Sequence, residues 1–131
     1  MTAIFSIALS ALSAQTKRLA VSADNVANIN SAGVRPGATP QAGEFVPQKV
    51  ELSSIAGGGV QAKAVPVDPP GYLVPDPSAP DAGPDGLVAR PNVSLEQELV
   101  TQIEALRTFQ ANVKVIQAED RRLGDLLDVL S

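Results

Sequence analysis

At 131 residues the chain has room for one domain and little more. Its 10 Lys+Arg against 14 Asp+Glu leave a net charge of −4, which argues against a dedicated binder of nucleic acid or of an anionic membrane. With no Cys and no His it has no thiolate nucleophile, disulfide, zinc–sulfur site or imidazole base, so much of enzymology is excluded. Four aromatics (Phe5, Phe45, Tyr72, Phe109) are too few for a conventional core of this length.

All 11 prolines fall between Pro36 and Pro91, together with 8 of the 10 glycines. A proline inside a helix costs about 3 kcal/mol, so the two ends are free to be long helices and the middle is not. Three regions follow: an N-terminal helix over 1–33, a Pro/Gly-rich insert over 34–91 and a C-terminal helix over 92–131.

The first helix repeats Phe5, Leu9, Leu12, Thr16, Leu19, Ala23, Val26 and Asn30 at steps of four and three, the spacing of a coiled-coil seam. A second line, apolar but for one residue (Ile4, Ile7, Ala11, Ala14, Arg18, Val21), runs beside it, and a helix apolar on two sides is expected to be buried on two sides. Asn30-Ser31-Ala32-Gly33, followed by Pro36, is its stop signal. Asp24, Asn25, Asn28 and Asn30 cluster at that end, where they either set the register with a partner or simply terminate the helix.

In the insert, Val60–Val65 alternates as a half-buried strand, and Gly57-Gly58-Gly59 joins it to a weaker strand over Glu44–Leu52 that Pro47 confines to an edge. One small hairpin is predicted. The stretch Asp68–Gly86 reads as loop or polyproline, with little capacity to pack.

The last helix opens with Ser94 as its cap and Gln97 three residues on, with Glu96 and Glu98 favoured by the helix dipole. Its seam is Leu95, Leu99, Gln102, Leu106, Phe109, Val113, Ile116, Asp120, Leu123, Leu127 and Leu130, while Val100, Ile103, Val115, Ala118, Leu126 and Val129 form a second sticky side. Gly124 is expected to weaken or bend the last turns. The fold expected is mainly α: an antiparallel coiled-coil pair of terminal helices carrying a small β-hairpin insert.

Burial along two such seams falls well short of the ordering cost of that many helical residues, so other helices must supply the rest. No chemistry competes with this reading. Asp76, Asp81 and Asp85 lack the ligand spacing of a calcium loop, and the triple glycine lacks the Lys-Ser/Thr of a phosphate loop. No cofactor, metal or catalytic residue is expected. No signal peptide or membrane-spanning segment is expected either, because the opening residues lack a basic region and Ser, Thr and Gln interrupt their apolar run.

The opening FSIALSALSAQTKRLAVSADNVANINSAG resembles the N-terminal signature of the flagellar rod, hook and hook-associated proteins, a leucine-repeat helix ending in A-x-N-x-A-N-x-x-x-x-G. The segment PNVSLEQELVTQIEALRTFQANVKVIQ is similar to their C-terminal signature, and the Tyr72, Pro75 and Pro77 loop and short length point to the proximal rod. Val34-Arg35-Pro36 departs from the family pattern, which follows the glycine with an aromatic and a basic residue.

The resemblance implies a structural subunit of the basal-body rod, a helical shaft in the periplasm that transmits torque. It implies export through the flagellar type III apparatus without a cleaved signal, and assembly with further copies and with the rod proteins FlgB, FlgF, FlgG and FliE. The interface residues expected are Phe5, Leu9, Leu12, Leu19, Asn25, Val26 and Asn28 in the first helix. In the second they are Leu95, Leu99, Leu106, Phe109, Asn112, Val113, Ile116, Leu123 and Leu127. The alternative is a small helical hairpin that binds one helical partner, such as an export adaptor.

Overall fold

The computed structural model describes residues 2–129. In chain order it holds α1 (Thr2–Ala27), β1 (Gln48–Ser54), β2 (Val60–Pro66), β3 (Gly71–Pro75), β4 (Leu87–Pro91) and α2 (Leu95–Val129). The fold is therefore α+β and not the mainly α hairpin expected, because the insert builds two separate antiparallel sheets instead of one hairpin.

β1 and β2 pair from Gln48↔Pro66 to Ser54↔Val60 around the glycine turn. The first strand starts only after Pro47, whose carbonyl accepts the Val67 N–H. β3 and β4 pair from Gly71↔Pro91 to Pro75↔Leu87, so part of the stretch expected to be loop is strand. Its prolines flank the ladder or sit at its ends, where a missing N–H costs little.

α1 ends at Ala27, six residues before Gly33, and turns through 28–30. Asn28 Nδ2 closes the last turn on the Asp24 carbonyl at 2.9 Å. The chain then threads into the second sheet: the Gly33 N–H donates to the Ala89 carbonyl and the Phe45 N–H to that of Ala32. A side chain at Gly33 would collide with the backbone of Arg90 and Pro91, so glycine is required by close approach. Val34, next in line, is fully buried with Val88 and Pro91. The position after the glycine therefore fills a core. Arg35 forks onto Asp85 at 2.9 Å on both oxygens, and Arg90 reaches Asp81 at 3.3 Å, so the acidic loop is pinned by arginines.

α2 starts as the sequence predicts, with Ser94 Oγ accepting the Gln97 N–H at 3.3 Å, and it runs on through Gly124 to Val129. Leu130 lies outside the described residues.

The two helices are antiparallel neighbours, but they are not the leucine coiled coil expected. What they bury is small or polar: Ala8, Ala14, Gln15, Ser22 and Asn25 on α1, Ala105 and Glu119 on α2. Ala8, Gln15 and Ser22 are themselves seven residues apart, a second seam of the same period as the leucines. Periodicity cannot say which of two parallel lines faces inward. The small line wins that place because its polar members find partners there: Gln102 Nε2 donates to Ser22 Oγ, and Ser22 Oγ to the Glu98 carbonyl, both at 3.2 Å.

Candidate interaction surface

The helix pair has two flanks. On one, the β1–β2 hairpin lies along α1: Ser10 Oγ accepts the Val60 N–H at 3.1 Å, and buried Ala14 lines an open cleft beside the hairpin with exposed Ser13 and Lys17. Gly58 sits against the Ile7 side chain and Gly59 against Ser10. At the base of this flank Asn25, 2% exposed, ties three elements together. Its Nδ2 donates to the Gln48 carbonyl and to Glu98 Oε1, both at 2.7 Å, while its Oδ1 accepts the Gln48 N–H at 3.1 Å. Asn25 thus stands in for a neighbouring strand at the first residue of β1 and locks the hairpin to both helices.

The opposite flank is bare. At 100° per residue, Leu9, Leu12, Leu19 and Val26 of α1 and Leu95, Leu99, Leu106 and Val113 of α2 fall on this side of their helices, with Leu12, Val26 and Val113 half-buried and the other five exposed. Leu9 is 64% exposed and Leu106 52%. Between the two helices runs an apolar groove of about 260 Å³ lined by Gln15, Thr16, Leu19, Ala105, Leu106 and Phe109. The two predicted leucine seams therefore lie side by side on one flank instead of interlocking, and together they make one continuous apolar face. Monomeric soluble proteins rarely expose such a face unless something covers it.

Other predicted positions sit elsewhere. Phe5, Phe109, Ile116 and Leu123 are half-buried near the shared contact, and Asn28 serves the turn after α1. Asn112 spends its amide on the Thr108 carbonyl of its own helix. Leu127 is 70% exposed on the last turns of α2, beside exposed Leu126 and Val129. Gln15, Ser22, Glu98 and Gln102, the polar members of the pairing, were not singled out as an interface; the seven-residue step Ala8–Gln15–Ser22 was the available signal. Arg18 reaches across to Glu104 at 3.3 Å, and Glu119, nearly buried, is gripped by Arg122, whose guanidinium holds its carboxyl below the usual carboxylate range.

Among the described residues no group of three His, Cys, Asp or Glu converges as a metal site, and no helix is long and apolar enough to cross a membrane. What this surface can do is pack.

Comparison with known proteins places the chain in a family. Residues 5–34 match the model described as "Flagella basal body rod protein", and residues 85–129 match "Flagellar basal body rod FlgEFG protein C-terminal". The flagellar basal-body rod protein FlgC of Yersinia enterocolitica is 43% identical over 114 residues, covering 86% of this chain and 85% of the relative. FlgC of Agrobacterium fabrum is 33% identical over 132 residues, covering 99% and 95%. FlgC of Bacillus subtilis is 30% identical, covering 98% and 99%. The first matched segment takes in most of α1 and the turn after it, and the second takes in β4 and α2, so the elements that carry the bare flank lie largely within them. This chain belongs to the FlgC family of flagellar basal-body rod proteins.

Proposed function

We propose that this protein is a structural, non-catalytic subunit of the proximal part of the rod, polymerising through α1 and α2 into the shaft. The carrying observation is the bare leucine flank. It is too large to leave wet, and both helices of one molecule contribute to it. A heterologous contact through such a face does not close on itself and so builds an open helical array. Interlocked helices make that array stiff, because close-packed interiors resist compression and shear. In this reading the neighbours are further copies and the rod proteins FlgB, FlgF, FlgG and FliE. The chain reaches the periplasmic rod through the flagellar type III apparatus without loss of a signal segment. Family membership supports the place in the basal-body rod.

Leu106→Asp tests the reading. The variant stays folded and soluble, because Leu106 already faces water, yet it builds no rods and supports no swimming; a Leu106→Asp strain that swims and yields rods refutes the proposal.

A further inference from the structure

One feature of the loop between β3 and β4 plays no part in assembly. Asp85-Gly86 is the sequence's single Asp or Asn followed by glycine; every other is followed by a residue with a side chain. Such a pair can rearrange without an enzyme, because glycine lets its amide nitrogen swing onto the preceding carboxyl. In the neutral acid form, the Gly86 nitrogen bonds to Asp85 Cγ, and the carboxyl hydroxyl departs with the amide proton as water. A second water then opens the cyclic imide. Attack at Cγ restores aspartate, whereas attack at the α-carbonyl leaves the backbone running through Cγ, as isoaspartate.

We propose that Asp85–Gly86 is a site of backbone isomerisation and that Arg35 keeps it silent in the folded subunit. Burial does not protect it, since the Asp85 side chain is 46% exposed. Contacts do. Arg35 Nη1 and Nη2 each donate to one Asp85 oxygen at 2.9 Å, and the Leu87 N–H donates to Oδ1 at 3.2 Å. Nη2 also reaches the Leu87 carbonyl at 2.9 Å, so the fork is fastened to the first residue of β4. The nucleophile is engaged as well: the Gly86 N–H donates to the Gly83 carbonyl at 2.9 Å. A side chain at Gly83 would run into both the guanidinium and the carboxylate, so the fork sits directly on that glycine. The hydrogen bonds from Arg35 also hold Asp85 as the carboxylate, which has no hydroxyl to lose. Once the loop opens, all of these restraints go together. Isoaspartate would then lengthen the backbone beside the Asp76–Gly86 hydrogen bond that closes the β3–β4 ladder. This inference is independent of assembly.

The test counts isoaspartate at residue 85 of the full chain by mass spectrometry with electron-transfer fragmentation, after weeks at mildly acidic pH. The folded wild type stays nearly free of it, and the same chain in urea accumulates it. Arg35→Ala, with helix content unchanged in circular dichroism, converts about tenfold faster than the folded wild type. Arg35→Lys keeps the charge without the fork and falls between the two; it carries the test alone if Arg35→Ala unfolds. A folded Arg35 variant that converts as slowly as wild type overturns the proposal, and so does a folded wild type that converts as fast as the chain in urea.

Discussion

The base of the molecule and its helix pair treat apolar surface in opposite ways. At the base, where the chain after α1 meets β3 and β4, Val34, Val88 and Pro91 are sealed from water, and Arg35 and Arg90 tie down the loop above them. Along the helices the sealed residues are alanines, Gln15, Ser22, Asn25 and Glu119, while Leu9, Leu19, Leu95, Leu99 and Leu106 stand exposed. The base is complete in one copy. The helix pair is not, and the difference separates what folds the subunit from what joins it to others.

Substitutions at the base therefore hurt folding, and those on the flank hurt joining. Val34→Ala removes two buried methyl groups and leaves a cavity, lowering unfolding free energy by about 2–3 kcal/mol in chemical denaturation. Asn25→Ala strands the Gln48 N–H and releases Glu98. Denaturation should register about 2 kcal/mol, and hydrogen exchange should show β1 loosened before α2.

Asp85→Asn has a smaller effect, read as faster proteolysis of the loop over 76–86 with the helices unaffected. The same contact gives a pH dependence. Hydrogen bonds from Arg35, then from the Leu87 N–H, hold the Asp85 carboxyl far below the usual carboxylate range. The folded form is the stronger acid, so the contact's stabilisation is present above about pH 4, the unfolded value, and fades as pH drops below it. Loop protection that stays constant from pH 7 to pH 2 would contradict that assignment. The smallest effect on stability belongs to Leu99→Asp on the bare flank, within about 0.5 kcal/mol in denaturation, although it abolishes assembly. If Leu99→Asp instead unfolds the free subunit, the contrast between base and helices collapses.

Much of this was legible in the residues. The confinement of proline to 36–91 marks the two helices, Ser94 announces the start of α2, and alternation about a glycine turn gives the first hairpin. The second sheet was hidden because Tyr72-Leu73-Val74 is short and bounded by prolines. Its strand character comes from pairing with a β4 whose Val88 and Ala89 are buried by tertiary contacts. The leucine seams were visible, but their direction was not. Two lines of nearly the same period compete on α1, and hydrogen bonds from Ser22 and Asn25, distant in sequence from their partners, settle which turns inward.

The central claim is that the leucine flank is wet in the single subunit and dry in the polymer. Leu106→Cys keeps the position apolar and introduces the chain's sole thiol, whose labelling by a maleimide can be timed in both states. Rapid labelling of the dispersed subunit and strong protection in sedimented rods is the result the account predicts. Equal rates in the two states would mean that neighbours do not cover this flank, and the account would be wrong.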